Sequence, residues 1–282
     1  MKDLTNKIAV VTGAASGIGR ALSLQLADHG CHLAIADIDK EGLEETVALV
    51  KAKGSRCSSH IVDVGSRESV EGFAKDVVAE YGAVHLLINN AGVTLIERVE
   101  KIEYHDFEWI MQINFWGVVY GTKAFLPVMG EQSEAHIVNV SSLFGLMALP
   151  LQSAYNASKF AVRGFTEALK MELAASTVRV SCVHPGGIKT SITKNSRVGA
   201  DALENSKEQL DEDFQNKALT TPEKAAAAII KGVLKNKRRI LIGPDAKIGD
   251  WIVRHFPATY ERVMMIEKQV HARVARREAS ES

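Results

Sequence analysis

The sequence predicts a doubly wound α/β fold, a parallel sheet of seven strands with helices on both faces. Three observations predict it. Short apolar runs of β-type residues alternate with longer stretches of helical periodicity. The runs are continuous rather than alternating, as in strands buried on both faces. The rhythm continues along most of the 282 residues with no repeat or linker to divide them, so one sheet with right-handed crossovers is expected.

The strands are read in order at Ile8–Thr12, His32–Asp37, His60–Val64, His85–Asn89, His136–Ser141, Val178–Val183 and Arg238–Gly243. Between them, apolar residues recur at three- and four-residue spacing, as at Ala21, Leu22, Leu24 and Leu26 in the first helix. Before the last strand, Thr221 reads as an N-cap and Pro222 as the first residue of a helix. The least hydrophobic stretch is Thr193–Thr220, within a segment at 191–220 that reads as mobile surface. A C-terminal extension, 246–282, follows the last strand, and Tyr260, Val263, Met264 and Val270 approximate one helical face within it.

A hydrophobic content of 46% suffices for a sizeable core, and a net charge of +0 gives no reason to expect nucleic acid as a partner. Cys31, Cys57 and Cys182 are widely spaced and form neither a CxxC pair nor a metal set. A reducing, cytoplasmic setting is expected. No apolar run approaches a signal core or the ~18 residues of a spanning helix.

In open parallel sheets, ligands bind at the carboxyl ends of the strands. There the first strand runs into Thr12-Gly13-Ala14-Ala15-Ser16-Gly17-Ile18-Gly19, which opens a helix. A diphosphate sits on a helix N-terminus, where N–H groups and the macrodipole favour an anion, and glycine lets it approach. Asp37 ends the second strand, eighteen residues beyond Gly19. An acid there accepts from adenosine ribose hydroxyls and repels a 2′-phosphate, which favours NAD over NADP. Helix capping, the other use of an acid in this loop, fits Asp39 better.

Tyr155 and Lys159 stand four residues apart on a helical segment and so share a face. A free tyrosine, pKa roughly 10, is a poor base. A fixed cation favours the phenolate, and a drop of ~2–3 units needs about 3–4 kcal/mol. Ser141-Ser142 ends the fifth strand, Asn89-Asn90-Ala91-Gly92 the fourth, and Pro185 to Thr190 follows the sixth.

Together, TGAASGIG, Asp37, Asp63-Val64, NNAG, Asn114, Ser142, YNASK and PGGIKT make the chain resemble a short-chain dehydrogenase/reductase over about Asn6–Gly243. The resemblance implies a Rossmann-type catalytic domain at 1–245 and a role for each matching residue. Tyr155 is the implied general acid/base. Lys159 lowers its pKa and binds the nicotinamide ribose, and Ser142, rather than Ser141, orients the substrate oxygen. Asn114 holds a water that extends the proton relay. Gly13, Ser16, Gly17, Ile18 and Gly19 take the diphosphate and Asp37 the ribose. Asp63 and Val64 contact adenine, and Asn90, Ala91 and Gly92 line the adenosine side. Pro185, Ile188 and Thr190 hold the nicotinamide end. The implied reaction moves a hydride between NAD and an alcohol or ketone, with no metal.

Val93, Thr94, Phe144, Leu146, Leu149, Gln152 and Gly187 are expected to bound the pocket with Ser142. With the segment 191–220 as a further boundary, their apolar character predicts a hydrophobic secondary alcohol or ketone. Trp109, Phe115 and Trp116 read as core or interface packing, His184 as a backbone-positioning residue, and Asn139 as a buried hydrogen-bonded one. Arg273, Arg276 and Arg277, interspersed with Glu267, Glu278 and Glu281, read as a soluble helix face rather than a membrane anchor. The resemblance implies a homodimer or homotetramer. An NADPH-dependent carbonyl or acyl-thioester reductase is the alternative, disfavoured by Asp37. A non-catalytic NAD-binding regulator is disfavoured by the presence of Tyr155, Lys159 and Ser142, and an epimerase by the spacing of the glycine turn.

Overall fold

The computed structural model describes residues 1–192, 196–199 and 207–262. Its main sheet contains β1 (Ile8–Thr12), β2 (His32–Asp37), β3 (Cys57–Ile61), β4 (Leu86–Asn89), β6 (Ala135–Val140), β7 (Val178–Pro185) and β9 (Arg239–Ile242). All pairings are parallel, in the order β3-β2-β1-β4-β6-β7-β9. Between β1 and β4 the order turns back on itself, the switch point at which open parallel sheets hold ligands in a crevice at the carboxyl edge.

Strand β1 explains the continuous apolar runs. Ala9 and Val11 face one core with α1 (Gly17–Asp28), α2 (Lys40–Ala52) and α8 (Pro222–Leu234). Val10 faces the other, with α3 (Arg67–Tyr81), α5 (Gly117–Gly130) and α6 (Ser153–Glu172). The N-cap expected at Thr221 is present: its hydroxyl accepts from the Lys224 N–H, and Pro222 opens α8.

The sequence misplaces the third strand. It spans Cys57–Ile61 rather than His60–Val64, which leaves Asp63 and Val64 in the turn after it. This is an edge strand paired only to β2, so its burial alternates and Ser58 and Ser59 are tolerated. Two further strands have no apolar run to announce them. β5 (Leu95–Ile96) and β8 (Arg197–Val198) form a separate parallel pair. Segment 191–220 thus contains β8 and also α7 (Lys207–Lys217). Between α4 (Tyr104–Met111) and α5, Gln112–Trp116 forms one π-helical turn, a widening of the helix that recurs at functional sites.

The C-terminal extension begins with α9 (Pro244–His255), which packs on the loop after β6: Gly249 sits against Leu143 and Met147. Further on, the Tyr260 hydroxyl accepts from the Ala148 N–H at 3.2 Å. The face expected at Val263, Met264 and Val270, and the charged run from Glu267 to Glu281, lie outside the described residues. No helix among the described residues is long and apolar enough to cross a membrane.

Two buried histidines set an acid limit on the fold. His136 Nε2 donates to Ser181 Oγ at 2.7 Å, because that hydroxyl gives its own hydrogen to the Lys237 carbonyl at 2.6 Å. His184 Nδ1 donates to the Ser142 carbonyl at 3.0 Å. Each ring is therefore neutral, with its other nitrogen buried and without a partner. Burial pushes His136 down to about 3 and His184 down to about 4, from 6.5. The unfolded chain takes up these protons first as pH falls. Stability is thus intact above pH 6.5 and lost toward pH 4, by about 1.4 kcal/mol per pH unit for each histidine. Urea midpoints between pH 7 and pH 4 should show this slope, and His136→Asn should remove one proton's share. An unchanged slope in that variant would exclude His136 as a source.

Candidate active site

At the end of β1 the chain makes its glycine turn. Gly13 has φ +68°, and a Cβ there would stand 2.8 Å from Ala91 Cα in the loop after β4. At Gly19 a Cβ would collide with the Gly13 carbonyl. Thr12 ties the two loops together, its hydroxyl accepting from the N–H groups of Asn90 (3.0 Å) and Ala91 (3.2 Å). Asn90 Nδ2 returns hydrogen bonds to the carbonyls of Thr12 (3.0 Å) and Gly13 (3.2 Å). The side chain read as lining the adenosine side is thus the brace of the turn. Ser16 precedes α1 without a side-chain cap bond, and the first turn of α1 has no acidic residue, so the positive end of the helix suits an anion.

At the end of β2, Asp37 accepts from the Ala15 N–H at 2.9 Å through Oδ2 and from the Asp39 N–H at 3.1 Å through Oδ1. Asp39 caps α2, as its sequence position suggests. Arg20 was not anticipated. Its guanidinium binds the carbonyls of Ala15 (2.6 Å) and Gly42 (3.0 Å) and the Glu45 carboxylate (2.8 Å). Asp63 is exposed in the turn after β3, where Oδ1 accepts from the Gly65 N–H at 2.8 Å. A turn that excludes Cβ groups, an uncapped helix N-terminus and a carboxylate at the end of β2 fit a dinucleotide diphosphate and ribose.

Across the crevice, Ser142, Tyr155 and Lys159 come together, all buried. Ser142 precedes a 3₁₀ turn and its hydroxyl accepts from the Phe144 N–H at 3.1 Å. Ser141 is structural, donating to the Lys159 carbonyl at 2.8 Å. Lys159 Nζ donates to the Val140 carbonyl at 3.2 Å and lies 5.7 Å from the centre of the Tyr155 ring. Burial pushes Lys159 down to about 8. Burial also pushes the Tyr155 phenol up, and a hydrogen bond with Ser142 opposes it. In the chain without a dinucleotide, desolvation of the phenolate outweighs the help it receives.

Asn114 is fully buried in the π-helical turn. Oδ1 accepts from the Val93 N–H (2.8 Å), and Nδ2 donates to the Val93 carbonyl (2.9 Å) and to Ser158 Oγ (3.0 Å). Both amide hydrogens are engaged, so its side chain braces Val93. Ser158 Oγ in turn donates to the Tyr155 carbonyl at 2.8 Å. His184 supports the Ser142 carbonyl, the backbone role expected of it, and Asn139 bonds Asn89 and Thr166 in a buried chain.

An apolar cluster surrounds Tyr155: Leu95, Ile110 and Ala154, with Val93, Phe144 and Trp109 among those packed on it. Of the expected pocket residues, Val93 and Phe144 are in this cluster. Leu146 is buried, Thr94 accepts from the Arg197 N–H, and Gln152 bridges to Glu97. The Gly187 N–H donates to Asp245 Oδ2 at 2.6 Å, while Ile188 is buried and bridges to Thr220. Leu149 is held through Asn156, whose Oδ1 accepts from the Leu149 N–H (3.3 Å) and whose Nδ2 donates to the Phe144 and Met147 carbonyls. Asn156 and Asp245 were missed. Nothing in YNASK or GPDA singles out residues whose work is to hold another loop's backbone.

The family model described as short chain dehydrogenase matches residues 7–201. The chain belongs to that family. SadH of Mycobacterium tuberculosis, named as an oxidoreductase, is 48% identical over 267 residues, covering 94% of this chain and 96% of that protein. Estradiol 17-beta-dehydrogenase 11 of Mus musculus is 33% identical over 267 residues, covering 93% of this chain and 84% of the relative. A short chain dehydrogenase/reductase of Burkholderia phymatum in complex with NAD superposes with a TM-score of 0.83 at 31% identity, over 90% of this chain and 95% of that one. Other solved family members carry NADP. The chain is thus an oxidoreductase of this family, with a nucleotide-binding Rossmann fold.

Proposed function

We propose that the protein transfers a hydride between NAD and a hydrophobic secondary alcohol or ketone. The observation that carries this reading is the buried grouping of Ser142, Tyr155 and Lys159, with Lys159 Nζ 5.7 Å from the Tyr155 ring centre, at the sheet edge that also bears the glycine turn. Gly13 to Gly19 would hold the diphosphate and Asp37 the ribose. NAD, when bound, supplies the hydride acceptor. In oxidation, the Tyr155 oxygen takes the proton of the substrate hydroxyl; in reduction it returns one to the carbonyl oxygen. Ser142 holds that oxygen in place, and the Lys159 cation offsets the cost of a buried phenolate. Lys159, at about 8, keeps its charge at neutral pH.

The apolar cluster at Tyr155 supports a hydrophobic substrate, as does the likeness to a dehydrogenase named for estradiol, an apolar secondary alcohol. Asp37 and the engagement of Arg20 support NAD. The test is a fluorescence titration with NADH and NADPH, then turnover of secondary alcohols and ketones of graded size. Tighter NADH binding is expected, with Asp37→Ser shifting the preference toward NADPH by about tenfold. Equal affinities in the native chain would remove the role given to Asp37. Best turnover with small, charged substrates would remove the apolar pocket. We further propose a homodimer across the face that exposes Trp116 (43%) and Phe160 (40%), to be checked by light scattering.

A further inference from the structure

Strands β5 and β8 form a ladder only two residues long, with Leu95 opposite Arg197 and Ile96 opposite Val198. The Arg197 N–H donates to the Thr94 carbonyl and the Gly199 N–H to the Ile96 carbonyl, both at 3.1 Å. So short a pair does not hold its register unaided. Arg197 supplies the hold. Its guanidinium lies 3.8 Å from the centre of the Trp109 ring, and Nη1 donates to Asp106 Oδ1 at 2.6 Å. Both partners belong to α4. At the far end, buried Glu97 fills the space beside Gly199, leaving no room for a Cβ. A cavity of about 290 Å³ lies against the ladder, bounded by Leu95, Ile102, Asp106, Arg197 and Val198.

The ladder is connected to the reacting centre along two routes. Leu95 packs in the apolar cluster of Tyr155. Two residues earlier, Val93 is held by Asn114, which bonds Ser158, which bonds the Tyr155 carbonyl. We propose that Arg197 is a positioning residue. By clamping on Trp109 and Asp106 it fixes the β5–β8 ladder, and with it the Val93–Leu95 wall against which the apolar part of the substrate lies. Substrate affinity depends on this clamp far more than proton transfer does. The inference rests on the reading of Tyr155 as the reacting centre.

The sequence has three tryptophans, so Trp116→Phe with Trp251→Phe leaves Trp109 as the sole reporter. In that full-length background, saturated with NAD⁺ for binding, Arg197→Met is compared with Arg197→Lys and with native Arg197. The probes are 2-decanone and 2-butanone, followed by Trp109 emission for binding, and with NADH for turnover. The Met variant should red-shift Trp109 emission and weaken 2-decanone binding about five- to tenfold. Its KM should rise in parallel while kcat stays within about twofold, and 2-butanone should be affected less. Arg197→Lys should recover part of the loss. Gly199→Ala, which pries at the other end of the ladder, should mimic the Met variant. Unchanged Trp109 emission in Arg197→Met would sink the clamp. A shifted emission with unaltered 2-decanone affinity would reduce Arg197 to a structural residue, as would no response of native emission to 2-decanone. Binding that weakens as expected in a chain that turns over neither ketone would uphold the clamp and remove the reading of Tyr155.

Discussion

Tyr155→Phe is expected to lower turnover by about 10²–10⁴-fold, the usual worth of a placed general acid/base, with folding and dinucleotide binding intact. The substitution keeps the ring and its edge-on contact with Phe144, at 6.3 Å between centres. It removes only the phenolic oxygen. Nearby groups are poorly placed to replace it: His184 is down at about 4 with Nδ1 committed to the Ser142 carbonyl, and Lys159 is tied to the Val140 carbonyl. The pH dependence supplies an independent signature. Burial raises the phenol, so oxidation, which needs the phenolate, should accelerate as pH rises, and reduction should slow. Initial rates in both directions across pH, with NADH fluorescence as the binding control, check both statements. Undiminished turnover in the Phe variant would assign proton exchange to another group.

Gly19→Val is expected to weaken NADH binding by at least about 100-fold, or ~2.7 kcal/mol. The cause is steric. The new Cβ would meet the Gly13 carbonyl, and either α1 or the turn must move from the place where the diphosphate would lie. The control is Gly72→Ala in α3, where a Cβ has open space. That substitution should leave binding alone and add about 0.5–1 kcal/mol of stability, because alanine loses less freedom in a helix. Fluorescence titration with circular dichroism separates lost binding from lost folding. Retained affinity in a folded Gly19→Val variant would move the diphosphate away from this turn.

The sheet was legible because its inner strands are buried on both faces, which leaves a continuous apolar mark such as IAVVT. The edge strand was misread because Cys57–Ile61 is covered on one face only and carries serines. The β5–β8 pair was invisible: two residues per strand leave no periodicity, and its hold comes from Arg197 on Trp109, a contact between residues far apart in sequence. At the site, residues that face the crevice were found by their motifs. The bracing roles were not. Thr12, Asn90, Asn156 and Asp245 work through backbone groups of other loops, and pairings of that kind exist only once the loops have met. Asn114 was found, but not its bracing of Val93, since the π-helical turn that buries its amide is a product of packing.

The contact between Tyr260 and the Ala148 N–H has a consequence for the order in which the protein is made. The strands β1 to β7 and the helix bearing Tyr155 leave the ribosome first, and α9 and Tyr260 follow about 100 residues after Tyr155. At roughly 5–20 residues per second, that interval is about 5–20 s. During it, the loop from Ser142 to Ala148 lacks the backing that α9 and Tyr260 give it. A nascent chain stalled within the interval therefore has that wall of the crevice unfinished.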